Sequence, residues 1–249
     1  AAAGAPEQGR LSVSVTRFQG TADGNARVSG QWHYRAEPSE QQEDLQRSGR
    51  FDLTRPLSRD GYPELVTRLD AACSALPLVA ILRGLRPEEA VEIAQTLYDE
   101  GFRLIEIPLN SPQPFDSIAA VRKALPADAL VGAGTVTTIA DVDRLDAIGA
   151  DLVVMPHADV AVIGQAVAKG MICIPGIATP TEAYAALNAG AAALKIFPAE
   201  LVGPVVIKAI RTILPAGTRL FPVGGISPTT MEPFKPAGVA GFGLGSALY

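Results

Sequence analysis

The sequence predicts an α/β fold: a (β/α)8 barrel lacking its last helix, preceded by a small α+β segment. Three observations carry this prediction. Short apolar runs recur eight times from Leu78 onward, and the Gly or Pro turns between them (Gly101, Pro126, Gly149, Gly170, Gly190, Pro215, Gly238) are spaced 20–25 residues apart. The runs are continuous rather than alternating, as expected of parallel strands buried on both faces. Ala-rich stretches with helical spacing lie between them, such as 87–100, 139–148 and 181–189. Eight similar units favour a closed barrel over an open doubly wound sheet. The G-x-G at Gly132–Gly134 lacks a third glycine and falls on the third run, so it is weak evidence for a dinucleotide turn.

The elements follow in order. Residues 11–18, Leu-Ser-Val-Ser-Val-Thr-Arg-Phe, alternate apolar and polar and predict a half-buried strand. Residues 25–34 and 49–54 predict two weaker strands, with a polar loop over 39–46. Residues 63–75 predict a helix: Leu65, Val66, Leu69 and Ala72 share a face, and Pro63 suits the first turn, where a missing N–H costs nothing. Leu78–Leu82 opens the barrel. The eighth run, Val239–Leu244, is followed only by Gly245-Ser-Ala-Leu-Tyr249, so an eighth helix is expected to be missing and an apolar flank exposed.

Charge divides the chain in the same place. Net charge is −5 over 249 residues, with 21 basic and 26 acidic side chains. Residues 1–76 hold 9 Arg and 10 acidic residues with no Lys, a denser charge than in the remaining 173 residues. A domain boundary is therefore expected near Pro77, giving an appendage at 1–76 and a barrel at 77–249. No basic patch argues for nucleic acid, and no apolar run approaches the ~18 residues of a membrane span. The start lacks the apolar core of a signal peptide. Two cysteines, Cys73 and Cys173, make no disulfide framework, and two histidines, His33 and His157, make no His-rich metal centre. A carboxylate-only site for a hard cation is not excluded by this composition. G-x-S-x-G is absent, so a Ser-His-Asp hydrolase has no nucleophile turn.

Reactive groups on such a barrel sit at the C-terminal ends of strands. Lys195, in Ala-Ala-Leu-Lys-Ile-Phe-Pro, has apolar neighbours that disfavour its ammonium form and leave a nucleophilic amine, able to form a Schiff base with a carbonyl. The alternative is a strand-end lysine whose head reaches water. Glu106, in Leu-Ile-Glu-Ile-Pro, is a carboxylate in an apolar strand and needs a partner. Lys195 is the expected one, and a carboxylate beside an iminium can shuttle protons. Its alternative is a structural pair with Arg83 or Arg103. Arg83, at the end of the first strand, offers a planar fork for a substrate carboxylate, with Thr135 and the N–H groups of Gly134-Thr135 assisting. Gly224-Gly225 and Gly245-Ser246 end the seventh and eighth strands, the usual phosphate position of this fold. His157 is left unassigned, and Cys173 is expected in the core.

The collinear motifs Ala80-Ile-Leu-Arg-Gly84, Val131-Gly-Ala-Gly-Thr-Val136, Pro175-Gly-Ile-Ala-Thr179, Leu194-Lys-Ile-Phe-Pro198 and Val223-Gly-Gly-Ile226 resemble the 2-keto-3-deoxy-6-phosphogluconate and -galactonate aldolases. The resemblance implies a metal-independent class I lyase, cytoplasmic and homotrimeric. It implies Lys195 as the Schiff-base lysine and Glu106 as the acid/base. It implies Arg83 and Thr135 near the pyruvyl carboxylate, and Gly224, Gly225, Gly245 and Ser246 around the phosphate. Two details favour the galactonate branch. Asn110 stands where the gluconate enzymes carry an arginine, and Val223 where they usually carry threonine. The expected substrate is therefore 2-dehydro-3-deoxy-6-phosphogalactonate, split to pyruvate and D-glyceraldehyde 3-phosphate. The alternatives are the gluconate epimer, or an inactive barrel with an interaction module before it. Residues 11–75 resemble the C-terminal part of the PqiC-type transport auxiliary lipoproteins, through Val13-Ser-Val-Thr-Arg-Phe18 and Gly61-Tyr-Pro-Glu-Leu-Val66.

Overall fold

The computed structural model describes residues 9–20, 25–36, 46–56 and 62–249, with side chains from Glu64 onward. The predicted loop at 39–46 lies, up to residue 45, outside the described residues. Backbone contacts divide the chain into two compact units, Ala1–Arg59 and Asp60–Tyr249.

In the first unit three strands, β1 (Gly9–Gly20), β2 (Asn25–Ala36) and β3 (Gln46–Pro56), form an antiparallel sheet in sequential order. Each is longer than its run of alternating residues predicts. Val13 pairs with Trp32 and Trp32 with Gly49, and a bulge interrupts β1 between Val15 and Arg17.

The second unit opens with α1 (Tyr62–Ala75) and continues as a barrel. Its strands are β4 (Leu78–Ile81), β5 (Leu104–Pro108), β6 (Leu130–Gly134), β7 (Leu152–Val154), β8 (Ile172–Ile174) with β9 (Gly176–Ile177), β10 (Leu194–Ile196), β11 (Leu220–Pro222) and β12 (Phe242–Leu244). Pro175 splits the fifth barrel strand in two because it has no N–H to donate to the ladder. All neighbouring pairs are parallel, running β12-β4-β5-β6-β7-β8 and β9-β10-β11. One further bridge, Val223 to Gly243, joins the last two strands and closes the ring.

Between the strands lie α2 (Pro87–Asp99), α3 (Pro114–Ala124), α4 (Ile139–Ala147), α5 (Val160–Ala168), α6 (Pro180–Asn188), α7 (Ala199–Arg211) and a 3-10 helix over Glu232–Ala237. Side chains just after the strands start three of these helices. Thr138 Oγ1 accepts from Asp141 N, Asp159 Oδ1 from Ala161 N and Val162 N, and Thr179 forms a capping box with Glu182. Gly101 and Gly190, which end α2 and α6, both take φ +98, the left-handed turn that predicted them as stops. α7 is broken at Gly203 (φ +69) ahead of Pro204, two residues that cannot continue a regular helix. Among the described residues no helix follows β12.

Alternation along each strand produces two apolar layers. Ile105, Val131, Val153, Cys173, Leu194 and Leu220 face the helices, and Cys173 is buried there as expected. Val79, Leu104, Leu130, Leu152, Ile172 and Phe221 face inward and fill the lower barrel. Leu69 and Ala72 of α1, both at most 2% exposed, belong to this inner layer. This helix is therefore part of the floor of the barrel and lies within the compact unit Asp60–Tyr249. Polar groups fasten it. Arg68 donates to Asp151 Oδ1 at 3.2 Å and to Ala129 O at 3.1 Å. Asp151 also holds Arg122 at 2.6 Å and accepts from Val131 N at 3.1 Å, and Arg219 pairs with Asp70.

Candidate active site

Two inward positions of the barrel are charged rather than apolar. Glu106 lies one inward step above Leu104 on β5, and Lys195 one step above Ala193 on β10; they are 1% and 6% exposed. Glu106 aligns with Ile81 and Gly132 on the neighbouring strands, and Lys195 with Gly176 and Phe221. Glycine on the next strand leaves the room that Glu106 needs. A methyl group at Gly134 would lie 2.8 Å from Glu106 Cδ and 2.8 Å from Oε2. Sequence reading placed Gly134 as a possible anion contact; here its missing side chain makes the carboxylate's pocket.

The ion pair expected between these two groups is not formed among the described residues. Glu106 Oε2 is buried with no hydrogen-bond partner. Burial pushes the Glu106 carboxyl above the usual carboxylate range, against the pull of Lys195 and then of Arg83. Its structural alternative with Arg103 fails as well. Arg103 turns outward, pairs with Asp128 at 2.8 Å and stacks on Tyr98. Lys195 Nζ lies 5.0 Å from the centroid of the Phe197 ring, a cation–π contact that sequence reading did not single out. The signal was present, since Phe197 follows Lys195 by two residues and so leaves the strand toward the same side.

Arg83 is exposed at the end of the first barrel strand, and its Nη1 donates to Asn110 Oδ1 at 2.9 Å. Thr135 is half-buried just beyond β6, with φ +58, a strained backbone for a β-branched residue. Gly224 (φ +104) and Gly225 (φ +64) leave β11 beside Gly245 and exposed Ser246, which leave β12; the Val223–Gly243 bridge sets these ends side by side. Gly224 and Gly225 line a cavity of about 400 Å³ with Gly203, Pro204, Thr229 and Phe234. Glu200 also lines it, and a side chain at Gly224 would collide with Glu200 Oε2. An anion at this glycine pair thus requires the exposed Glu200 side chain to turn away. His157 is exposed after Pro156, beyond the end of β7. Among the described residues no three His, Cys, Asp or Glu side chains gather as a metal site would require. No described helix is long and apolar enough to cross a membrane.

A buried amine facing a buried, protonatable carboxyl near an arginine is the equipment of imine chemistry. The model of the KDPG and KHG aldolases matches residues 69–248. The chain belongs to the KDPG and KHG aldolase family. A relative from Rhizobium meliloti (strain 1021), "Probable 2-dehydro-3-deoxy-6-phosphogalactonate aldolase", is 51% identical over 173 residues, 70% of this chain and 82% of the relative. The aldolase barrel superposes on the solved "Native KDPGal structure" with a TM-score of 0.69 at 49% identity, covering 70% of this chain and 84% of that one. KDPG aldolase from Legionella pneumophila, solved with pyruvate as a covalent carbinolamine, gives a TM-score of 0.64 at 28% identity, covering 71% and 85%. Residues 1–77 match a different family, the ABC-type transport auxiliary lipoprotein component. The two matches overlap within α1 and the turn after it.

Proposed function

We propose that the barrel is a class I aldolase that cleaves 2-dehydro-3-deoxy-6-phosphogalactonate to pyruvate and D-glyceraldehyde 3-phosphate. The observation that carries this reading is the pair of inward charges, Lys195 and Glu106, both buried in the barrel with Glu106 Oε2 unpartnered. Lys195 Nζ attacks the C2 ketone, and loss of water leaves an iminium. Glu106 takes the C4 hydroxyl proton, directly or through water, as the C3–C4 bond breaks and its electrons enter the iminium. Glyceraldehyde 3-phosphate leaves. The resulting enamine is protonated at C3, and water releases pyruvate and regenerates the amine.

Arg83, with Thr135, holds the substrate carboxylate; Gly224, Gly225, Gly245 and Ser246 hold the phosphate across the last two strand ends. The reaction needs no metal or other cofactor, because the iminium is the electron sink. Catalysis belongs to residues 77–249, and residues 1–76 supply no reacting group. The galactonate epimer is favoured by Asn110 and Val223 at the positions noted above, and by relatives of that name near 50% identity. A phosphorylated substrate suits a cytoplasmic location. Leu201 and Val205 on α7 are 81% and 80% exposed, which supports burial against other subunits in the homotrimer.

Borohydride trapping with pyruvate tests the mechanism. The reduced adduct is expected on Lys195 and absent from Lys195→Met; an unmodified Lys195 in the wild type sinks it. Turnover of the two epimers side by side tests the substrate. The rival reading is a silent barrel beside an interaction module; measurable cleavage by residues 1–249 excludes it.

A further inference from the structure

We infer that Asn110 is a positioning residue: its side-chain amide holds the Arg83 guanidinium in place for the substrate carboxylate. The inference rests on the reading of Arg83 given above and adds to it the group that orients the arginine. Arg83 lies in the turn just after β4, and it is exposed, so nothing in its own strand fixes four rotatable bonds. The turn after β5 does so from the neighbouring strand. Asn110 Oδ1 accepts from Arg83 Nη1 at 2.9 Å. The next residue, Ser111, is 7% exposed, and its Oγ accepts from Gly84 N at 3.0 Å. Gly84 has φ +89, a turn that an L side chain would resist, and the Ser111 hydroxyl secures it.

Two consecutive side chains of one strand's turn therefore grip two consecutive residues of the next. One holds the backbone and the other the guanidinium. The same β5 strand carries Glu106, so the carboxylate-binding arginine and the proton-transfer carboxyl are referred to one rigid element. Arg83 is near enough to Glu106 to act on its charge. Asn110 uses one of the five guanidinium N–H groups and contributes no charge, so the rest of the fork remains free for an anion. An aspartate in the same place would compete with that anion.

The test compares pyruvate with hydroxyacetone, a ketone of similar size without the carboxylate, by the concentration that half-saturates borohydride trapping at Lys195. Asn110→Ala is expected to weaken pyruvate roughly fivefold to tenfold and to leave hydroxyacetone unchanged. Asn110→Asp, which keeps the shape, is expected to weaken pyruvate further and again spare hydroxyacetone. Equal weakening of both ketones, or of neither, overturns the proposal, because a merely structural role would not distinguish them. Arg83→Ala separates the underlying reading. If it leaves the preference for pyruvate intact, Arg83 is not the clamp and both readings fall. If it abolishes the preference while Asn110→Ala does not, the clamp stands and only the positioning role falls.

Discussion

Glu106 sits between Ile105 and Ile107, and its proton is held more tightly in the folded barrel than in the unfolded chain. Burial raises its folded pKa above the ordinary 4.5, despite Lys195 and Arg83. Between those two values the folded state binds more protons, so stability falls as pH rises through that window. Glu106→Gln removes the titration. The thermal midpoint of the wild type is expected to fall relative to Glu106→Gln as pH climbs above 4.5; parallel pH curves contradict this. Gly134 makes a second prediction at this scale. Gly134→Ala drives a methyl group into the carboxyl and is expected to lower kcat roughly 10- to 100-fold, with the circular dichroism spectrum unchanged. The inward burial of Lys195 and Glu106 was legible in the sequence because a charge within an apolar run must be explained. The Asn110–Arg83 contact, the place of Glu200 beside Gly224 and the absent Lys195–Glu106 pair were not. Each depends on where a turn carries a side chain across to another strand, which spacing does not encode.

The strands were legible because burial on both faces leaves nearly continuous apolar runs, and the helix ends because Gly101 and Gly190 take left-handed turns. Two elements read differently in the structure. The crossover between β11 and β12 is a 3-10 helix over Glu232–Ala237, where Pro233 and Pro236 deny a longer α-helix its hydrogen bonds. α1 was legible as a helix, and its place directly ahead of the first barrel strand already suited it to cover the barrel floor, where Leu69 and Ala72 are buried. Its role predicts a cost. Leu69→Ala is expected to lower unfolding free energy by about 2–5 kcal/mol in urea titrations, more than a surface helix position would. Asp151→Ala is expected to cost about 2–4 kcal/mol, because it strands Arg68 and Arg122 beside the barrel floor without their shared carboxylate.

Across the whole molecule, chemistry and appendage separate. Every residue assigned to the reaction lies in the unit from Asp60 onward. Residues 60–249 alone are therefore expected to cleave substrate at a rate per active site within about twofold of the full chain. A protein beginning at Pro77 would lack α1 and is expected to precipitate or melt early. The ring itself is uneven: seven seams are ladders of paired strands, and the seam between β11 and β12 is a single bridge from Val223 to Gly243. It is the stave at which this barrel should first spring. Amide hydrogens there would exchange with solvent ahead of those in β5 and β6. An anion gripped by Gly225 on one side and Ser246 on the other would act as a hoop, so substrate would complete the wall that encloses it.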